Sequence, residues 1–171
     1  MASQRPDPVR LTLGLLTVSD GAAPSGTRSE AAAAVALAAE KLGWKVEVSA
    51  SVAEDERQIR ASLVDLCVEN RVDLVLTLGG QGLGPRDVTP EATRQVLEKE
   101  LPGLPELMRL KCMAKTPAAA LSRGVAGTRR RTLILNLPGR PKAALESFHA
   151  VAGLLPHAVG MLREAAPSVS P

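Results

Sequence analysis

The sequence predicts an α/β domain of three layers, in which a doubly wound, mostly parallel sheet lies between helices and carries a small antiparallel hairpin. Apolar runs of strand length alternate with amphipathic segments of helix length along most of the 171 residues. Loops rich in glycine and proline directly follow three of the apolar runs, as is typical of ligand sites at the carboxyl ends of parallel strands. Two short strand-like runs around an arginine-rich turn add the hairpin.

The first half of the chain shows strand and helix patterns twice in succession. Arg10 to Val18 is an apolar run typical of a buried parallel strand, and the alanine-rich segment from Ser29 to Leu42 predicts a helix that ends at Gly43. Lys45 to Val52 alternates apolar and polar residues, which favours a strand. Asp55 to Asn70 then places its apolar residues on one helical face.

A third strand leads into the most glycine-rich loop of the chain. Val72 to Leu78 is the strand, and Pro90 to Lys99 is the helix after the loop. Thr89 stands where an N-cap is expected, with Pro90 in the first helical turn. Leu104 to Lys115 predicts a further amphipathic helix.

The last third of the chain predicts the hairpin and one long helix. Ala119 to Val125 and Thr132 to Leu137 are strand-like, and the turn from Gly127 to Arg131 separates them. We expect this hairpin to lie beside the main sheet, with its arginines in a solvated turn. Pro141 suits the first turn of a helix that ends near Arg163.

Size and composition indicate one soluble domain, which we expect over residues 9–164, with flexible tails at 1–8 and 165–171. Trp44 and Phe148 are the only aromatic residues, so the chain lacks stacking platforms for nucleic acid. No apolar stretch reaches the about 20 residues of a membrane span. The two cysteines form no disulfide or zinc pattern. We therefore expect a cytoplasmic protein with neither nucleic-acid nor membrane partners.

The stretch from Leu74 to Thr93 carries the clearest chemistry. Gly79, Gly80 and Gly82 allow the backbone to approach a ligand closely, and the helix that follows would direct free N–H groups toward a phosphate. Asp87, just ahead of that helix, could hold a divalent cation against the phosphate. The lysine of a P-loop is missing. The alternative is that the glycines only serve a tight connection between strand and helix.

Several ordered motifs together resemble the molybdopterin adenylyltransferase family, which comprises MogA-type and MoaB-like proteins and the G domain of gephyrin. The resemblance extends from about Leu11 to Glu164. It is carried by Thr17–Asp20, Gly79–Thr93, Leu121–Arg123 and Leu133–Gly139. It implies a doubly wound α/β domain, usually trimeric, that transfers AMP from ATP to the terminal phosphate of molybdopterin and uses Mg²⁺.

The resemblance also implies which residues form the site. Asp87 matches a family carboxylate that acts in catalysis and binds magnesium, and Glu54 occupies the position of a second such carboxylate, with Asp55 beside it. The residues implied to bind the substrates are Ser19, Asp20, Gly79, Gly80, Gln81, Gly82, Thr89, Ser122, Arg123, Asn136, Pro138 and Gly139.

The chain departs from the family pattern at three places. Glu54 replaces the usual aspartate and is one methylene longer; the alternative for Glu54 and Asp55 is a pair of acids that stabilises a helix N-terminus. Gln81 replaces a common threonine. In the short loop after Asp20, only Arg28 and Ser29 match the family motif.

These departures leave a second functional class open, a catalytically weak or silent molybdopterin-binding scaffold. A third alternative is another nucleotide-binding phosphotransferase. For the enzyme, the resemblance implies ATP and molybdopterin as substrates and a homotrimer, and it leaves room for a partner protein that inserts molybdenum.

Overall fold

The computed structural model describes residues 10–21 and 29–165. The predicted tails lie outside the described residues, apart from Ala165, and so does Arg28. The strands are β1 (Thr12–Val18), β2 (Lys45–Val52), β3 (Leu74–Leu78), β4 (Lys99–Glu100), β5 (Ala126–Arg129) and β6 (Thr132–Leu137). The α-helices are α1 (Glu30–Lys41), α2 (Glu56–Val68), α3 (Thr89–Val96), α4 (Gly103–Met113), α5 (Pro141–Val151) and α6 (Leu155–Glu164).

One six-stranded sheet of order β2-β1-β3-β6-β5-β4 forms the middle layer. The first four strands in this order are parallel to one another, whereas β5 and β4 pair antiparallel at one edge. The hairpin of β5 and β6 therefore belongs to the main sheet and does not lie beside it. The mostly parallel, three-layer α/β fold predicted from the sequence is confirmed.

The central strands are buried on both faces because each face packs against helices. In β1, Leu13 and Leu15 contribute to the core on the side of α1, α4, α5 and α6, and Leu16 and Val18 contribute to the core on the side of α2 and α3. Cys67 and Cys112 are both free and buried, as expected. Among the described residues, no helix has the length and apolarity needed to cross a bilayer.

Asp73 ties the amino-terminal ends of the central strands to the last helix. Its Oδ2 accepts hydrogen bonds from the backbone N–H and the hydroxyl of Thr12, each at 2.9 Å. The guanidinium of Arg163 donates to both carboxylate oxygens, at 3.1 and 2.8 Å. Burial disfavours the charged form of Asp73, but these hydrogen bonds outweigh it and hold its pKa below the usual value.

The predicted strand from Ala119 to Val125 is wrong. Pro117–Leu121 forms a 3₁₀ turn, which suits a run of alanines that has little strand preference and no strand to pair with. The first hairpin strand begins only at Ala126, and the tight turn after it is made possible by Arg130, whose φ is +53°.

Three helix boundaries also differ from the prediction. α3 ends at Val96, because Leu97 takes extended backbone, and the short strand β4 follows where helix was expected. The N-cap of α3 is Val88, so Thr89 is the first helical residue. The long C-terminal helix is interrupted by a turn at 152–154 and forms α5 and α6.

Candidate active site

The carboxyl ends of the parallel strands meet along one edge of the sheet. Val18 pairs with Val52 on one side, and Leu78 is in register with Thr17 and with Leu137. The loops that follow β1, β2, β3 and β6 therefore converge, and together with α4 and α5 they line a cavity of about 690 Å³. A volume of this order is ample for a small-molecule substrate.

The glycine loop reaches this cavity through two residues that only glycine fits. Gly79 has φ +105° and Gly80 has φ +65°, in the left-handed region that side chains disfavour. A Cβ on Gly79 would lie 2.4 Å from the carbonyl oxygen of Val18, and one on Gly80 would lie 2.2 Å from Oγ1 of Thr89. These glycines let the loop pack against β1 and the start of α3.

The backbone N–H groups without an acceptor belong to the glycine loop more than to the first turn of α3. The N–H groups of Gly80, Gln81 and Gly82 donate to no acceptor within the described part of the chain, and all three residues line the cavity. By contrast, the N–H of Thr89 donates to the carbonyl of Gly80 at 2.9 Å, and Pro90 has none. The N–H groups open to the cavity at this end are therefore those of the loop, because the first N–H group of α3 is taken up by the carbonyl of Gly80.

Asp87, in the loop after β3, and Glu54, in the loop after β2, both line the cavity. Asp87 Oδ2 accepts from the N–H of Gly84 at 2.9 Å, and its Oδ1 accepts no hydrogen bond from any described residue. Partial burial raises the pKa of the Glu54 carboxyl, and the negative charges of Asp20 and Asp87 raise it further. Two carboxylates that repel each other across one cavity are suited to share a cation.

Asp20 connects the first loop to the two carboxylate loops. It accepts hydrogen bonds from the N–H of Glu54 at 3.0 Å and from the guanidinium of Arg86, with Nη2 at 2.8 Å. The hydrogen bond from Arg86 is the main reason why the pKa of Asp20 lies below its usual value. Ser19, next to it, lines the cavity. Asp20 therefore orders the mouth of the site and is itself outside the cavity lining.

Three other expected site residues are engaged in the fold. Asp55 caps α2, since its Oδ1 accepts from the N–H of Gln58 at 2.9 Å. Asn136 is fully buried: its Oδ1 accepts from the N–H of Val125, and its Nδ2 donates to the hydroxyls of two threonines, at 2.9 and 3.0 Å. Thr89 is fully buried beneath the glycine loop. None of the three lines the cavity.

Of the remaining expected residues, Gln81, Ser122, Pro138 and Gly139 line the cavity, whereas Arg123 does not. The guanidinium of Arg123 instead bonds to the glycine loop and to Glu91. Ser122 thus faces the site while the next side chain faces away from it.

One wall of the cavity was missed by the sequence analysis. It is formed by α4, the 3₁₀ turn and α5, and includes Met108, Arg109, Cys112, Glu146 and Ser147. These residues match no motif. The only available signal was helical spacing, because Met108 and Cys112 are four apart and so share one face of α4.

The oxygen donors present fit a magnesium ion that is shared with a substrate. Among the described residues, no group of three or more histidine, cysteine or acidic side chains could hold a metal alone. Magnesium is commonly bound by one or two carboxylates together with substrate phosphates. Asp87 and Glu54, beside the free N–H groups of the loop, provide that arrangement.

Comparisons with known proteins identify the family of the chain. A family model described as a probable molybdopterin binding domain matches residues 14–157. The molybdopterin adenylyltransferase of Helicobacter pylori is 40% identical over 152 residues, which make up 88% of this chain and 86% of that protein. The enzyme of the same name from Escherichia coli is 38% identical over 143 residues, 82% of this chain and 73% of that protein. The crystal structure of the molybdopterin biosynthesis enzyme MoaB from Thermus thermophilus superposes on this chain with a TM-score of 0.81 at 46% sequence identity. The match covers 90% of this chain and 97% of that protein.

Proposed function

The chain belongs to the molybdopterin-binding domain family, and on that premise we propose that it acts in molybdenum cofactor biosynthesis as a molybdopterin adenylyltransferase that uses ATP and Mg²⁺. The observation that carries the proposal is a single cavity lined by a glycine loop with free N–H groups and by Asp87 and Glu54. The names of the similar proteins favour this enzyme over the scaffold alternative.

The proposed reaction joins two phosphates. An oxygen of the terminal phosphate of molybdopterin attacks the α-phosphorus of ATP; this P–O bond forms as the bond to the bridging oxygen of the β-phosphate breaks, and pyrophosphate leaves. Such a reaction depends on positioning and charge stabilisation more than on covalent help from the protein. The N–H groups of Gly80, Gln81 and Gly82 would bind the phosphate oxygens of the nucleotide, a role supported by the position of these residues in the cavity lining.

Asp87 and Glu54 would hold the magnesium ion, which when bound neutralises phosphate charge. Burial and the charge of Asp20 are the larger causes of the raised pKa of Glu54, and the charge of Asp87 adds to them; a bound cation would relieve this repulsion. Asp55 has a separate role as the cap of α2. Ser122, Pro138 and Gly139 line the same cavity and would contact a substrate there.

Three further parts of the proposal follow from the family. We propose that the protein is a homotrimer, which the molar mass in solution would check against the 17.9 kDa of one chain. We propose a cytoplasmic location. We also propose that a separate protein inserts molybdenum into the adenylylated product.

The first test is formation of adenylyl-molybdopterin and pyrophosphate from ATP, molybdopterin and magnesium. The parent should turn over, and Asp87→Asn should lower kcat/KM by about 100-fold or more, because it removes the charge of a group that stabilises the transition state. Asp65→Asn is the matched control, since Asp65 is exposed on α2 and does not line the cavity.

A parent that binds molybdopterin without forming the product would favour the scaffold. Turnover with an acceptor other than molybdopterin would favour another phosphotransferase. Asp87→Asn with the activity of the parent would remove the proposed metal ligand.

A further inference from the structure

We infer that Arg123 is a positioning residue that holds the glycine loop and Asp87 in place for the proposed adenylyl transfer, and that it does not contact the substrates. This inference rests on the proposed function and corrects the role implied by the family resemblance, in which Arg123 binds substrate. Ser122 lines the cavity, whereas the side chain of Arg123 points away from it.

The guanidinium of Arg123 joins three points of the segment that carries the site. Its Nε donates to the carbonyl of Gly82 at 2.7 Å, and its Nη2 donates to the carbonyl of Asp87 at 2.6 Å. Its Nη1 donates to Oε1 of Glu91 in the first turn of α3. One side chain thus connects the start of the exposed loop, the proposed metal ligand and the helix that follows.

Apart from Arg123, the loop is attached through the ion pair of Arg86 with Asp20, whose two side chains are both exposed. Residues 82–86 are exposed, and their hydrogen bonds with Asp87 lie within the loop, from Gly84 N–H to Asp87 Oδ2 and from Asp87 N–H to the carbonyl of Gly84. Such bonds shape the loop without attaching it to the domain. Exposed glycine-rich segments with few long-range contacts open easily. Arg123 supplies the long-range attachment of the backbone at Gly82 and Asp87, in addition to the exposed side-chain pair of Arg86 and Asp20.

Arg123 is itself held by a second arginine. Nη1 of Arg109 on α4 donates to the carbonyl of Ser122 at 3.2 Å and is 3.5 Å from that of Gly124. These carbonyls lie on either side of Arg123 in the chain. The clamp on the loop is therefore anchored to α4, which forms a wall of the cavity.

The contacts need the shape of a guanidinium as well as its charge. Arginine presents donors on three nitrogens in a rigid planar fork. Lysine has a single charged nitrogen, which cannot reach three separate acceptors at once. The Arg123 side chain is 31% exposed. Burial opposes ionisation of Glu91, but the hydrogen bond from Arg123, the backbone N–H of Glu91 itself and the charges of Arg123 and Arg94 together hold the pKa of Glu91 below its usual value. Glu91 therefore stays charged as the third anchor.

The kinetic test separates positioning from substrate binding. In Arg123→Ala and Arg123→Lys, kcat should fall by about 100-fold, because a misplacement of about 1 Å can have that effect, while KM for molybdopterin stays within about threefold of the parent. A substrate contact would instead raise KM for molybdopterin. Arg94→Ala is the control: it also removes one positive charge, and Arg94 is exposed, lies 3.8 Å from Glu100 and acts on Glu91 through its charge alone.

Hydrogen exchange provides a readout that does not depend on activity. The amides of Gly84 and Thr89 should exchange about 10-fold faster or more in Arg123→Ala, with the amides of α2 unchanged. Guanidinium at concentrations too low to denature the protein should restore part of kcat to Arg123→Ala and none to Arg94→Ala. Rescue by a free guanidinium would not repair general misfolding.

Unchanged exchange in the loop, or a higher KM for molybdopterin with kcat intact, would overturn the inference. If the parent itself forms no adenylyl-molybdopterin, the proposed function fails, and the exchange of Gly84 and Thr89 still decides whether Arg123 holds the loop.

Discussion

Glu54 and Asp55 are neighbours in the chain, but their carboxylates serve different parts of the molecule. Glu54 faces the cavity and is affected by the charges of Asp20 and Asp87. Asp55 accepts the hydrogen bond of Gln58 N–H and so satisfies a donor at the start of α2. The acid next to the proposed catalytic Glu54 is therefore a structural residue.

Substitutions at the two acids should therefore give opposite results. Asp55→Asn should keep activity and stability close to the parent, because asparagine caps helices as well as aspartate, whereas Asp55→Ala should lower the free energy of unfolding by about 1 kcal/mol. Glu54→Gln should lower kcat/KM by about 10-fold or more with stability unchanged. The measurements are urea unfolding and initial rates. Loss of activity in Asp55→Asn comparable to that in Asp87→Asn would put Asp55 in the metal site.

Sequence reasoning located the residues that act through the backbone better than those that act through distant partners. The glycines and Asp87 follow the end of β3, so a local pattern was sufficient to bring them to one edge of the sheet, whereas Glu54 was indicated by the family resemblance. Asn136 lies within β6 and Arg123 lies between the 3₁₀ turn and β5, and their bonds join residues far apart in the chain, such as Arg123 and Gly82. No local signal shows whether such a side chain faces a ligand or the protein.

At the scale of elements, glycine has different consequences in the loop and in the last helix. Gly80 takes a left-handed backbone and lies directly against Thr89. Gly160 lies inside α6, and a Cβ there would meet nothing within 4 Å. Position 80 requires glycine, whereas the glycine at position 160 makes helix α6 less stable.

Alanine at these two positions should change stability in opposite directions. Gly160→Ala should raise the free energy of unfolding by about 0.5–1 kcal/mol, since alanine is the better helix former. Gly80→Ala should lower it by about 2 kcal/mol or more and should also lower activity, because strain and contact with Thr89 displace the loop. Chemical denaturation of both variants checks the pair. If Gly80→Ala and Gly160→Ala changed the free energy of unfolding equally, the described loop geometry would be contradicted.

The elements that the sequence predicted well are those with long, regular patterns. Buried runs such as β1 and β3 were recognisable because helices cover both faces of the sheet. The β5 strand was misplaced because it has only Ala126 to Arg129, and its position depends on pairing with β6 and on the turn at Arg130. The two-residue strand β4 depends wholly on tertiary pairing with β5.

For the whole molecule, the two ends of the sheet have separate tasks. The carboxyl ends of the parallel strands carry the cavity, and the amino ends are joined by Asp73, Thr12 and Arg163. Asp73 connects β1, the start of β3 and α6, so it links segments from both ends of the described chain. Substitutions at that end should change stability and leave the site intact.

The contribution of Asp73 should depend on pH. Its pKa in the folded protein lies below the ordinary 3.8, so its stabilisation is present above that value and is lost as the pH falls through the folded pKa. Asp73→Asn should lower the free energy of unfolding by about 1–2 kcal/mol at pH 7, and the gap between parent and variant should narrow below about pH 4.

Urea unfolding at several pH values measures this gap, with Asp65→Asn on the exposed face of α2 as the control. A gap that stays constant down to pH 3 would show that the charge of Asp73 is not what stabilises the fold.

The order of the strands also bears on how the chain emerges from the ribosome. β3 can pair with β1 early, but its other neighbour is β6. The edge of β3 from Leu74 to Leu78 therefore stays unpaired until Leu133 to Leu137 has been synthesised. Until then the growing polypeptide exposes an unpaired strand edge bordered by apolar residues, the kind of surface on which nascent chains associate wrongly. A chain interrupted before residue 132 would keep that edge open permanently, and we expect chaperones and proteases to recognise it.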